Sequence, residues 1–526
     1  MSHRIVGRIS PNGAAIALAA LLLCAAGIAA ADTYDQQVAD LCAAGDMPQA
    51  AAVACDWAAA EPGNIDALRR CAELAAAVGR YSRAEDALRS LLFYMPTDPD
   101  ALVALGDVLL ERGDYTGARE QFQAAIHDGG APGPAYTGLA RATVYSAESP
   151  GDMLSAAEVA VSVAPDYAPA HVAMGAALRQ LGRLDEAMDV LREAQAIDPS
   201  LAETTFEMGR TLAMMGERQQ AREAWGRYVE MAPYAPQSWL LAHRLLITDT
   251  EEISDRAFDA RYSPDGSRIA YRARGEGGWG IYTIPTEGDP VETKLWATES
   301  NLQTLAWSPD GSRIAVQVLE QQDVDGKQQW TRKIFLVPAD GGDAKLLADD
   351  RYLGEIAWNP ANGHIGARSY IRRQGHTIVE IDPETGESEQ VKGMQRGTIY
   401  YAPAWSPDGS TLLAVRRGDQ RPDGTFSYDL MVGAAEDFSD ARIIYTSDEL
   451  PRGPTFTPDG SAILYVLTSA DEGSSIWALP VDGSRDPVLV DPMAGRIAAP
   501  DISPDGRFLL TTRETMLVRA TLAGIE

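Results

Sequence analysis

The sequence predicts a multidomain chain, α then β: an all-α helical-repeat solenoid followed by an all-β six-bladed propeller. Two repeats of different period carry that reading. One is Trp405-Ser406-Pro407-Asp408-Gly409, with near-copies at Tyr262–Gly266, Trp307–Gly311, Phe456–Gly460 and Ile502–Gly506 and a looser copy around Trp358-Asn359-Pro360. Its prolines, 264, 309, 360, 407, 458 and 504, lie 45 to 51 residues apart, a spacing that suits blades of about four strands. The other repeat is shorter and precedes it. Gly209 follows Gly175 by 34 residues, and Ala84, Ala118, Ala187 and Ala221 each come 12 residues after Ala72, Gly106, Gly175 and Gly209.

A chain of 526 residues exceeds what a single core organises. At its start, Arg4 and Arg8 precede an apolar run from Ala14 to Ala31 that ends in three alanines. A charged segment, an apolar segment and a small-residue site in that order are expected of a secretory signal peptide over residues 1–31, cleaved before Asp32. Leu23 stands before Cys24 where a lipid-anchored protein needs a small residue, so a lipid anchor is disfavoured; a retained membrane anchor is the alternative. The formal charge of −30 argues against nucleic acid and anionic lipid as main partners.

Residues 32–247 are rich in Ala and Leu at helical spacing. Small residues recur at 12-residue intervals, and Pro96, Pro199 and Pro233 follow 12 residues later in three of the units. In these features the segment resembles the tetratricopeptide repeat. Six units are expected, the first and fourth irregular (Met153 takes the small-residue place), followed by a final helix over Pro236–Leu246. The resemblance places Val103, Asp107, Val172, Arg179, Phe206, Arg210 and Met214 on first helices facing a groove suited to an extended segment or helix of another protein. The family's carboxylate clamp uses Lys and Asn at such positions. This segment has no Lys, so that mode is not carried over. Cys55 and Cys71 flank the turn at Pro62-Gly63 on antiparallel helices, which makes them the candidate disulfide and leaves Cys42 over. The bland alternative is three small buried residues.

Residues 248–526 carry the longer repeat. Pro presets φ at the first corner of each turn, Asp bonds its own backbone, and Gly accepts positive φ. In blade 1, strands are expected near Phe258–Tyr262, Arg268–Arg272, Trp279–Ile284 and Glu292–Ala297, the residue before each turn wedging between blades. The sixth blade lacks an outer strand, and Ile247 to Ile253 is the expected donor. The run Ser263-Pro264-Asp265-Gly266-Ser267-Arg268-Ile269-Ala270-Tyr271, with Gly280-Ile281-Tyr282, resembles the TolB-type propeller. Helical repeats stand here where TolB has a small α/β domain.

No Gly-x-Ser-x-Gly, His-Glu-x-x-His, Gly-x-x-x-x-Gly-Lys or Cys-x-x-Cys motif occurs, and no His sits at metal-ligand spacing, so no enzyme activity, cofactor or metal is expected. Loops entering the innermost strands carry Arg256, Arg351, Arg396, Arg452 and Arg496; Arg372-Arg373 and Arg416-Arg417 join them on the channel mouth. Such a ring suits an acidic peptide, a carboxylate or a sugar phosphate. Its alternative is local pairing with neighbours such as Asp349, Asp350 and Glu449. Together these readings, with the TolB resemblance, imply a periplasmic or secreted scaffold or adaptor for envelope proteins or peptides. A hydrolase, lyase or small anionic-ligand binder working at the propeller channel is the second reading.

Overall fold

The computed structural model describes residues 33–127, 132–145, 150–275, 277–288, 291–324, 327–372, 375–421, 424–469, 473–493 and 498–525. The expected signal peptide, Arg373 and Arg496 lie outside them. Contacts divide the chain into two compact units: residues up to 110 with 116–139, and 111–115 with 140–526. The division falls inside the helical array, so the later helices share a unit with the propeller.

Thirteen helices occur among the described residues, from 33–43 to Pro236–Ala242. The small-residue period has a direct cause. In the first unit, a Cβ added at Gly106 would sit 2.5 Å from the Phe122 ring, and one at Gly138 would sit 2.3 Å from it. In the second unit, Gly175 leaves room for Leu191 and Gly209 for Trp225, where an added Cβ would come within 2.7 and 2.4 Å. Ala84, Ala118, Ala187 and Ala221 are fully or almost fully buried, completing the close approach from the second helix of each pair. Cys55, on Met47–Ala60, is joined to Cys71, on Ile65–Ala77, with Cα atoms 4.5 Å apart, and Cys42 is a free thiol.

The propeller has six four-stranded antiparallel sheets, five of them built from consecutive strands. Blade 1 comprises Ala257–Tyr262, Arg268–Gly275, Gly278–Pro285 and Thr293–Thr298, matching the expected strands to within a few residues. The sixth breaks the pattern as expected. Its outer strand is Leu246–Ser254, paired antiparallel with Met516–Ala523 from Leu246 opposite Ala523 to Ser254 opposite Leu517. Leu240 and Leu245 pack with Leu464, Ile476, Ile502 and Leu509, fixing the last helix on blades 5 and 6.

The repeated turn is a small hydrogen-bonded device. In blade 1 the Ser263 hydroxyl donates to Asp265 Oδ1 at 2.6 Å and accepts the Arg268 amide at 2.9 Å, while Asp265 Oδ1 accepts the Ser267 amide at 3.0 Å. Blades 2 and 4 repeat this through Ser308–Asp310 and Ser406–Asp408. The seryl hydroxyl and the turn amide hold the Asp265, Asp310 and Asp408 carboxyls down to about 2. Gly266, Gly311, Gly363, Gly409, Gly460 and Gly506 all have φ between 69° and 72°, which is why glycine recurs there. Blade 3 replaces the hydroxyl with Asn359, whose Oδ1 accepts the Ala361 amide at 2.9 Å.

The residue before the turn does wedge between blades. Trp307 Nε1 donates to the Arg261 carbonyl of blade 1 at 3.2 Å, and Trp358 Nε1 to the Ala306 carbonyl of blade 2 at 3.0 Å. Trp405 lies over Gly366 of blade 3, where an added Cβ would come within 1.8 Å of the ring.

Two outcomes are expected. Gly209→Ala lowers stability by about 1–3 kcal/mol through overpacking against Trp225, despite alanine's better helix propensity, and a thermal unfolding midpoint reads it. Denatured, unreduced protein starting at Asp32 titrates one free thiol; three would show that Cys55 and Cys71 are not joined.

Candidate functional site

The innermost strands of all six blades border a cavity of about 630 Å³ in the propeller channel. Its wall is divided chemically. Blades 4 and 5 contribute Ala402, Pro403, Ala404 and Pro454, whereas charge comes from blades 6, 1, 2 and 3 and from Arg452 at the start of the blade 5 strand. Asp259 is buried and its Oδ2 accepts the Thr304 hydroxyl at 3.0 Å. Its Oδ1 is 2.8 Å from Arg261 Nη1, an ion pair without a well-directed hydrogen bond, because Nη1 donates to the carbonyls of Ala260 and Ala499 at 2.7 and 3.2 Å.

Asp501 crosses the seam between the last and first blades, accepting the Tyr262 amide at 2.7 Å. Burial pushes its carboxyl up to about 6, against the pull of Arg261 and the amide; Asp259 adds to the rise. Arg272 lies with its guanidinium 5.0 Å from the Trp279 ring centroid and 5.7 Å from that of Phe258. Its Nη1 donates to the Leu302 carbonyl at 2.7 Å, its Nε has no acceptor, and burial lowers its pKa.

The mouth arginines do not form one open ring. Arg256 pairs with Glu292 and stacks 4.5 Å over Tyr282. Arg416 binds Asp429 through Nε and Nη2 at 3.0 and 2.6 Å. Arg417 lies over Phe426 and Arg351 over Tyr352, both within 4.5 Å of the ring centroid. Local partners therefore take up much of the expected charge. Arg351, Arg372, Arg396 and Arg452 are exposed, and only Arg452 among them borders the channel cavity.

The groove residues fall in both compact units. Val103 and Asp107 of the first are half-buried, Val103 packing beside Leu102, Ala125 and Ala135. In the second, Arg179 Nε binds Glu207 Oε2 at 3.0 Å, both buried, and Arg210 Nη1 binds Glu207 Oε1 at 3.1 Å. Phe206 is buried against Tyr228 and is core rather than groove surface; Val172 is half-buried and Met214 exposed. Glu207, which organises this cluster, was missed by sequence reasoning, although it stands 28 residues after Arg179 on the next first helix. The channel set of Asp259, Arg261, Arg272 and Asp501 was missed too. Its signal was the register of blade 1, which pairs Asp259 with Arg272.

A family model described as tetratricopeptide repeat matches residues 72–134, and a second of the same description matches 168–201. The helical array contains tetratricopeptide repeats. Among curated proteins, the chain is similar to tricorn protease homolog 1 of Streptomyces coelicolor, 25% identical over 224 residues, which are 42% of this chain and 17% of that protein. It is also similar to the Tol-Pal system protein TolB of Anaeromyxobacter dehalogenans, 27% identical over 155 residues, 29% of this chain and 33% of that one. The chain thus spans a third or less of either relative's length. Among solved structures, TolB from Acinetobacter baumannii has 14% identity and a TM-score of 0.36 over 50% of this chain and 65% of its own. The propeller is TolB-like in its repeats, and these likenesses do not choose between binding and catalysis. Among the described residues no cluster of three or more metal-ligating side chains occurs, and no helix is long and apolar enough to cross a membrane.

Asp501 gives a pH test. Its carboxyl titrates near 6 in the folded protein and near 4 when unfolded, so its contribution favours folding most below about pH 4 and is lost as pH rises through 6. Asp501→Asn keeps an acceptor for the Tyr262 amide without the charge. The variant is expected to unfold at higher temperature than wild type at pH 8, with the difference closing by pH 4; a pH-independent difference would contradict the assignment.

Proposed function

We propose that this protein is an exported, periplasmic scaffold that holds other envelope proteins or peptides, with one surface on the helical repeats and another at the propeller mouth. The observation that carries the reading is the matched tetratricopeptide repeats. Helix pairs of this kind bury one face against their neighbours and leave another for a partner. Exposed aromatic surface supports it: Phe93 is 80% exposed beside Tyr94 and Met95, and Trp330 of the long blade 2 hairpin is 54% exposed. Export rests on the charged and apolar segments before Asp32 and fits the acidic composition. The envelope setting rests on the likeness to a Tol-Pal system protein.

Affinity capture from the source envelope, with the full-length chain as bait, tests the scaffold. Phe93→Asp and the double variant Arg351→Glu/Arg372→Glu change exposed side chains only, so circular dichroism and the thermal midpoint should hold. Each is expected to lose a different subset of the partners retained by wild type. Identical partner sets for all three proteins would end the two-surface reading.

A further inference from the structure

The channel cavity is an electrostatic exception in this protein. The chain carries −30 overall, yet five guanidinium groups and three carboxylates border this space. Two carboxylates are answered locally: Asp259 by Arg261 at 2.8 Å and Glu355 by Arg368 at 3.1 Å. That leaves Arg272, Arg332 and Arg452 against Asp501.

These three arginines have no ion-pair partner among the described residues. Arg272 and Arg332 donate to the backbone carbonyls of Leu302 and Arg351, at 2.7 and 3.1 Å, which satisfies a donor and leaves the charge in place. Arg272 keeps a buried Nε with no acceptor, and Arg452 is exposed. They enter from blades 1, 2 and 5, so a ligand must carry charge in more than one direction to meet them together. The stretch of wall formed by Ala402, Pro403, Ala404 and Pro454 brings no carboxylate to compete, and low polarity there strengthens what the arginines do. A cavity of about 630 Å³ falls within the range of small-ligand pockets.

We propose that the propeller channel binds a small multivalent oxyanion, held by Arg272, Arg332 and Arg452. Planar guanidinium groups pair with carboxylate or phosphate oxygens through directed, charge-assisted bonds, which a neutral ligand does not offer. The site adjoins the mouth surface at Arg452 and at Arg332, which donates to the Arg351 carbonyl, and it goes beyond the protein-binding reading rather than resting on it.

Calorimetric titration of the full-length protein at 0.15 M salt, with citrate and with pyrophosphate as separate probes, tests this. At least one probe is expected to bind, and the choice between them distinguishes polycarboxylate from phosphate. Arg332→Ala and Arg452→Ala should each weaken that probe about tenfold or more. Arg192→Ala, an exposed residue of the helix Leu184–Ile197 that does not line the cavity, should leave it unchanged. The proposal is overturned if neither probe binds, or if the two channel variants, with wild-type thermal midpoints, bind as wild type does.

Discussion

The pairing of Leu246–Ser254 with Met516–Ala523 is the interaction on which the propeller depends. Blades 1 to 5 each complete a sheet from consecutive strands, but the last has only three of its own and would leave an unpaired edge. A strand from the beginning of the domain fills it, so ring closure joins residues about 270 positions apart. Side chains follow the backbone register: Glu251 pairs with Arg519 directly opposite. The strand begins only a few residues after the helix Pro236–Ala242, and that helix packs on the same blades. Separating the late helical repeats from the ring would expose apolar surface as well as strain the linker. This explains why they fall in one compact unit.

Within the ring, shape is set by local chemistry repeated six times. Each Ser-Pro-Asp-Gly turn satisfies its own donors and acceptors, so it forms without help from the rest of the blade. Its preceding aromatic or aliphatic residue then reaches the neighbouring blade. That separation of roles made the propeller legible from residues alone. The turn is encoded in five contiguous positions and its period is plain, even in blade 3, where Asn359 and Asn362 accept the Ala361 and His364 amides in place of the Ser-Asp pair. The helical repeats were legible for a related reason: a small residue recurring at Ala72, Gly106, Gly138, Gly175 and Gly209 marks a close helix approach, and at the last two a leucine or a large ring from the paired helix must fit, as Trp225 does over Gly209.

The site residues were less legible, because what an arginine does depends on where its neighbours arrive. Arg256 meets Glu292 from 36 residues away, across a whole blade, and nothing local to Arg256 announces it. Arg416 and Asp429 are easier, since they face each other across one hairpin and a register alone predicts the pair. Arg272 is hardest. Its environment combines Phe258 and Trp279 of its own blade with a carbonyl of the next, and only the packing of two blades brings these together. Of the rim arginines named from sequence, Arg256 and Arg416 are paired with carboxylates, while Arg272 and Arg332 of the channel were not named.

In a chain at −30, several arginines outside the channel meet an acidic neighbour, as Arg256 meets Glu292 and Arg507 meets Asp505. In the channel the backbone of six converging strands holds side chains apart, and small residues such as Ala402 and Gly453 supply no acid. Carbonyl groups can meet some of the donors there without cancelling charge, as the Leu302 carbonyl does for Arg272. A guanidinium group placed inside thus stays electrostatically unanswered for want of geometry rather than for want of carboxylates. That geometry, rather than the overall charge, is what the proposed oxyanion site rests on.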